Sequence, residues 1–175
     1  MAESLGLESG VVRIAEYDAR WPQLFISERQ RILDQCSALG LRLEHIGGTS
    51  IPGMCAKPVV DIVAGRRHDT STEACAAALN YAGYEHRGER GVAGREFFHR
   101  VQPRKYHLHL VEDGGALWRD YLAFRDHLRT HAETARSFAD LKRILAARFP
   151  HDREAYLNAK SPHVQDILAL ARAKR

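Results

Sequence analysis

One carboxylate, Asp61, interrupts an otherwise apolar run, Pro58-Val59-Val60-Asp61-Ile62-Val63-Ala64. On a strand, Val59, Asp61 and Val63 share one face and Val60, Ile62 and Ala64 the other. Both faces are apolar apart from the acid, so the strand is predicted to lie inside a sheet. A carboxylate there is costly unless it is paired, hydrogen-bonded or metal-bound. Just upstream, the stretch Gly47 to Lys57 offers two glycines for close backbone approach, the hydroxyls of Thr49 and Ser50, and the Lys57 ammonium. Backbone amides, hydroxyls and a cation together can cradle a phosphate. The spacing is not that of a P-loop. Asp61 as a purely structural acceptor of loop amides is the alternative, but the strand and the loop should meet at one end of the sheet.

His107 and His109 alternate with Leu108 and Leu110, so both imidazoles share one face of a strand. If that strand neighbours the one bearing Asp61, two histidines and one aspartate could bind a transition metal such as zinc or manganese. Otherwise the imidazoles hydrogen-bond phosphate or backbone. Arg125 and Arg129 stand four apart on a predicted helix and could grip one anion together, or serve surface ion pairs. Charge alone suggests Arg95, Arg104, Lys105, Lys142 and Lys160 as further anion contacts. Trp21, Trp118 and Tyr121 fit core positions better than ligand stacking.

The elements that must position these residues follow from periodicity. Val11–Ala15 reads as a short strand, and Trp21–Leu39 as an amphipathic helix with Pro22 in its first turn. Strands are predicted at 41–46 and 58–64, with an irregular Gly/Pro stretch between them. A helix spans Thr72–Tyr81, and strands follow at 84–87, 95–101 and 105–111. The last third is helical: 116–128, 133–149 and 152–160, with Ser161-Pro162 restarting a further helix through Ala171. The predicted fold is α/β (α+β), a mixed sheet flanked by helices with a helical C-terminal segment packed on it.

The chain has 175 residues, 45% of them hydrophobic and 27% charged, which suits one domain (1–175) and excludes disordered, fibrous and coiled-coil classes. No apolar run approaches a membrane span, and the N-terminal residues lack the pattern of a secretory signal. Three scattered cysteines, Cys36, Cys55 and Cys75, fit buried thiols in a reducing cytoplasm rather than a disulfide framework or zinc site. The net charge of +4 divides unevenly, −2 over residues 1–80 and +6 over 81–175. A basic half can attract phosphates, nucleotides or nucleic acid. The absence of a basic tail or of basic stretches interleaved with aromatics argues against a dedicated nucleic-acid binder.

The segment His45-Ile46-Gly47-Gly48-Thr49-Ser50-Ile51-Pro52-Gly53, followed by Ala56-Lys57-Pro58-Val59-Val60-Asp61-Ile62, resembles the signature of the GrpB family. Gly83-Tyr84, Phe97-Phe98, His107-Leu108-His109-Leu110, Phe124 to Arg129, Leu141-Lys142 and the Tyr156 to Lys160 stretch extend the likeness over about residues 11–172. That family resembles the nucleotidyltransferase superfamily in fold, and in some bacteria a similar domain is joined to dephospho-coenzyme A kinase. The resemblance implies metal-dependent chemistry on a phosphorylated ligand, with a Gly-Ser turn after one strand and an Asp-x-Asp/Glu pair on the next. Two positions depart from that pattern. Gly48 stands where the turn serine would be, and Val63 where the second acid would be.

The expectation is thus a nucleotidyltransferase-like cytoplasmic protein that binds a nucleotide or another phosphorylated small molecule. Asp61 and Lys57 would be catalytic, with Asp61, His107 and His109 holding a divalent metal (Mg, Mn or Zn). Gly47, Gly48, Thr49, Ser50, Lys57, Arg104, Arg125 and Arg129 would contact phosphate. Its rivals are a non-catalytic module for a nucleotide or coenzyme A precursor, and RNA binding through the basic half. The nucleobase, the acceptor, the metal and the oligomeric state stay open.

Overall fold

The run around Asp61 is strand β2 (Val60–Arg66), and its neighbours explain its double-sided apolarity. The computed structural model describes Gly6, residues 11–100 and residues 105–173. Strand β1 (Arg42–Ile46) pairs antiparallel with β2, and β5 (Tyr106–Glu112) pairs with it in parallel on the other side. Beyond β5 lie β4 (Glu96–Arg100) and β3 (Tyr84–His86), both antiparallel, giving the order β1-β2-β5-β4-β3.

One face of the sheet carries Val60, Ile62, Ala64, Leu108, Leu110 and Phe98, packed against helices α1 (Trp21–Gln35) and α2 (Thr72–Tyr81) through Ile32, Cys75 and Leu79. The other face presents Ile46, Val63 and Val111 to Trp118 of α3 (Ala116–Thr130). Helices α4 (Ala132–Arg148) and α5 (Arg153–Ala173) follow, and the Gly/Pro loop is buried among them: Ile51, Met54 and Cys55 pack with Leu128, Phe138, Ala139 and Ile167. This second core pins the loop between the sheet and the helical segment. The fold is the expected mixed α+β arrangement. Among the described residues, no helix is long and apolar enough to cross a membrane.

The structure corrects several boundaries. Residues 11–15 form no strand; Ala15 makes a single bridge to Ala56, while the Val12 amide bonds to the Pro150 carbonyl, so no second strand lies alongside. The first helix ends at Gln35, and Ser37–Leu39 tightens into a 3-10 turn closed by Gly40. The irregular stretch contains one 3-10 turn, Gly48–Ser50. Ser161-Pro162 starts nothing: α5 runs through Pro162 without a break. Asn158 and Pro162 are exposed, so the carbonyl that loses its N–H partner faces solvent, and packing of Tyr156, Val164 and Ile167 on either side holds the helix together.

One ionic cluster was not foreseen. Glu28, 3% exposed on α1, accepts from Arg31 at 2.5 Å, from Arg100 of β4 at 3.0 Å and from the Tyr84 hydroxyl of β3 at 2.8 Å. It ties α1 to the far edge of the sheet, on the face opposite Asp61.

Candidate functional site

The parallel register sets Asp61 directly beside His107 and Val63 beside His109. Side chains at paired positions point the same way, so both imidazoles reach the single acid. His107 Nδ1 donates to Asp61 Oδ1 at 3.0 Å, and His109 Nε2 lies 3.4 Å from the same oxygen. On its other side, His109 Nδ1 meets the Tyr121 hydroxyl at 3.3 Å and Arg95 Nη1 at 3.4 Å. Both of these groups can donate, so His109 is assigned as the tautomer with its proton on Nε2. Burial lowers the His109 pKa, opposed by Asp61 and assisted by Arg95, which agrees with a neutral ring. For Asp61, burial pushes the pKa up, but the hydrogen bonds from His107 and His109 outweigh it and hold the carboxyl well below the usual range.

The Gly47-Gly48 turn begins where β1 ends, because Ile46 pairs with Asp61. Gly47 has φ +71°, and a Cβ there would lie 2.8 Å from Asp61 Oδ2. Gly48 is equally confined: a Cβ would lie 2.9 Å from the Ala56 Cβ and 3.1 Å from Lys142 Nζ. Both glycines are therefore set by close approach. The two hydroxyls turn inward. Ser50 Oγ donates to the Gly47 carbonyl at 2.6 Å, and Thr49 Oγ1 pairs with His45 Nε2 at 3.0 Å. His45 stacks on Phe25 at 4.8 Å between ring centres. Burial lowers its pKa from 6.5 to about 4, against the pull of Asp61 and with the help of Arg129 and Arg125.

The cations divide into two groups. Arg125 Nη1 donates to Glu44 Oε2 at 2.8 Å and to the His45 carbonyl at 3.1 Å, and its Nε to Asp126 at 2.7 Å. Arg129 donates twice to the Ser50 carbonyl, at 2.7 and 3.0 Å. These two arginines, expected to grip an anion together, are engaged separately, Arg125 with β1 and Arg129 with the loop. Three lysines make up the second group. Lys57 sits over the Tyr156 ring at 4.3 Å, and Lys160 over the same ring at 5.6 Å. Lys142, 5% exposed, donates to the Cys55 carbonyl and lies 5.3 Å from the centre of the Phe138 ring. Burial lowers its pKa to about 8, with Lys160 and Arg143 adding to that and Cys55 opposing it. Burial also lowers Lys160, partly offset by Asp61. Arg104 lies outside the described residues. Sequence patterning missed Tyr121 and His45 as neighbours of the site; in a sequence, nothing but their place beside strand and loop termini signals it.

As they stand, Asp61, His107 and His109 are hydrogen-bonded to one another, and no group of three His, Cys, Asp or Glu among the described residues is arranged to enclose an ion. The donor set itself suits a divalent metal. Its nitrogen-to-oxygen spacings of 3.0 and 3.4 Å match neighbouring ligands on an ion bound at about 2.0–2.2 Å. Asp61 Oδ2 accepts no hydrogen bond among the described residues and faces the Gly47 backbone. A separate shallow groove of 680 Å³ between the loop and α4 does not include Asp61, His107 or His109.

Comparisons agree with this architecture. The chain is 40% identical to a UPF0157 protein of Streptomyces coelicolor over 174 residues, 97% of this chain and 89% of that protein. The crystal structure of the conserved protein GrpB from Enterococcus faecalis superposes with a TM-score of 0.83 at 28% identity, covering 93% of this chain and 98% of that one. A dephospho-CoA kinase of Mycolicibacterium paratuberculosis is 24% identical over 185 residues, 89% of this chain but only 44% of that protein. The model of the GrpB protein family matches residues 11–170, and the chain belongs to the GrpB family.

Proposed function

We propose that this protein binds a nucleotide or another phosphorylated small molecule where the Gly47-Gly48 turn meets Asp61, and transfers a nucleotidyl group from it. The observation that carries the reading is the closeness of Gly47 to Asp61 Oδ2, which sets half-buried loop backbone beside an ionised carboxylate. Asp61, His107 and His109 would hold a divalent metal, which supplies neutralisation of phosphate charge. The residues of the chain do the rest. His109, fixed by Tyr121 and Arg95, keeps an imidazole nitrogen on the Asp61 side. The ammonium groups of Lys57, Lys142 and Lys160 favour an anion over water in the same region. Transfer chemistry rests on the resemblance to nucleotidyltransferases, a fold-level analogy.

A second reading, a non-catalytic module that retains a nucleotide or coenzyme A precursor, is favoured by one observation. Val63, in place of a second acid, is fully buried against Trp118 and Val111, so the strand supplies a single carboxylate. The likeness to part of a dephospho-CoA kinase gives coenzyme A precursors a place among the ligands to test.

Thermal stability across nucleotides and dephospho-coenzyme A, with and without Mg²⁺, Mn²⁺ or Zn²⁺, on wild type and Asp61→Asn, separates the two. Stabilisation that needs both metal and Asp61 supports transfer. Stabilisation indifferent to both supports the binding module, and no stabilisation by any ligand removes both.

A further inference from the structure

We propose that Lys142 and Lys160 form a diphosphate-binding pocket that works without a metal ion, opposite Asp61. This deepens the reading above by naming the residues that carry the ligand's charge and the part of the ligand they hold.

Two close approaches and two longer-range electrostatic couplings link these groups to the turn. Asp61 Oδ2 borders Gly47, and Lys142 Nζ borders Gly48. Lys142 and Lys160 act on one another electrostatically, and Lys160 is acted on by Asp61. The two lysines come from different helices, α4 and α5, and meet only because both helices pack over the Gly/Pro loop.

Among the described residues neither amine has a carboxylate within 4 Å, although sixteen ion pairs elsewhere show that arginines and histidines of this chain pair readily. Lys142 is nearly fully buried, yet only one of its three N–H donors is used, on the Cys55 carbonyl. A buried ammonium with spare donors and a second ammonium beside it is destabilising by itself. Its lowered pKa is the expected symptom. The arrangement becomes favourable when an anion of more than one charge enters and takes up the spare donors.

The Gly48 position adds the steric argument. Only glycine lets the ammonium come this close to the turn backbone: a Cβ on residue 48 would lie 3.1 Å from Lys142 Nζ and 2.9 Å from the Ala56 Cβ. The rings of Tyr156 and Phe138 lie 5.6 and 5.3 Å from the Lys160 and Lys142 ammonium groups and orient the charges without neutralising them. A diphosphate fits this frame better than a carboxylate, because it carries several oxygens and enough charge to satisfy two ammonium groups from different helices. Arg125 and Arg129 are engaged elsewhere, on Glu44, Asp126 and the backbone carbonyls of His45 and Ser50.

The test is calorimetric titration of inorganic pyrophosphate into the full chain at pH 7.5 with EDTA present. Wild type should bind. Lys142→Gln and Lys160→Gln should each weaken binding at least tenfold, and the double variant should abolish it. Lys142→Arg, which keeps the charge if the glutamine variant unfolds, should retain binding within a few-fold. Absence of binding to wild type, or equal binding by the double variant, overturns the pocket. Neither result touches the Asp61- and metal-dependent stabilisation by nucleotide, so the two readings fall separately.

Discussion

Gly47 and Asp61 are in mutual contact so close that a methyl group on the glycine would sit 2.8 Å from the Asp61 Oδ2 oxygen. The glycine also holds φ +71°. Gly53 in the same loop has φ +75° but open space where its Cβ would be. Gly53→Ala should therefore cost only the backbone strain, roughly 1–2 kcal/mol. Gly47→Ala should cost more, and it should displace the Asp61 carboxylate as well. Urea denaturation of both variants measures the difference, and equal losses would count against the contact.

Stability should fall on mild acidification because of His45. Its folded pKa, about 4, is below the ordinary 6.5, so the fold favours the neutral ring. Above pH 6.5 both states are neutral and the contribution is complete. Between pH 6.5 and 4 the unfolded chain takes up the proton first, and stability drops by on the order of 3 kcal/mol. His109 shifts in the same direction and adds to the slope. Denaturation midpoints at pH 7.5 and pH 5 should differ clearly for wild type and less for His45→Gln. An unchanged pH slope in that variant would show the ring is not held neutral.

The Glu28 cluster should matter for stability and not for ligand. Glu28→Ala removes the acceptor that Arg31, Arg100 and the Tyr84 hydroxyl share at 2.5, 3.0 and 2.8 Å, leaving Arg31 only its bonds to Gln35 and the Ala82 carbonyl. Because both arginines are about a quarter exposed, the loss should be roughly 2–4 kcal/mol, at the lower part of the range for breaking buried pairs. Ligand stabilisation, measured as the shift over each variant's own baseline, should be unchanged, since the cluster is on the other face of the sheet.

Arg125 separates an anion contact from a loop tether. Its guanidinium bonds the His45 carbonyl and Glu44 together. Arg125→Met should lower stability by about 1–3 kcal/mol, and pyrophosphate affinity should follow only as far as the loop is disturbed. Arg125→Lys should recover little, because one ammonium cannot reproduce the forked geometry. A variant of full stability that has lost anion affinity would instead make Arg125 a ligand contact.

Much of the architecture was legible because it depends on local rules. The alternation around Asp61 identified β2 and its two apolar faces, and His107-Leu108-His109-Leu110 identified a strand with both imidazoles on one side. The alanine-rich run Thr72–Tyr81 identified α2, which the structure shows to be capped by the Ser71 hydroxyl accepting from the Ala74 amide at 3.0 Å. The Gly/Pro spacing marked the loop. These signals are properties of a few consecutive residues, and tertiary contacts had no reason to override them. Where they did, as at Pro162, burial of the residues on both sides outweighed one missing hydrogen bond.

The partners of each side chain were decided elsewhere. That β2 pairs with β5 in parallel, setting Asp61 beside His107, depends on the path of 39 intervening residues between the two strands, from 67 to 105. The four-residue spacing of Arg125 and Arg129 on α3 was read correctly, but Arg125 went to Glu44, Asp126 and the His45 carbonyl, and Arg129 to the Ser50 carbonyl of the loop. Charge marked Lys142 and Lys160 in the sequence as anion contacts, but they come together only when α4 and α5 close over residues 51–55. The sequence by itself determined which elements form and which faces are apolar, because backbone sterics and hydrophobic periodicity act over short range. Only the tertiary structure decided which charges meet, because a charged side chain at the end of a flexible stem takes whichever partner packing leaves within hydrogen-bond distance.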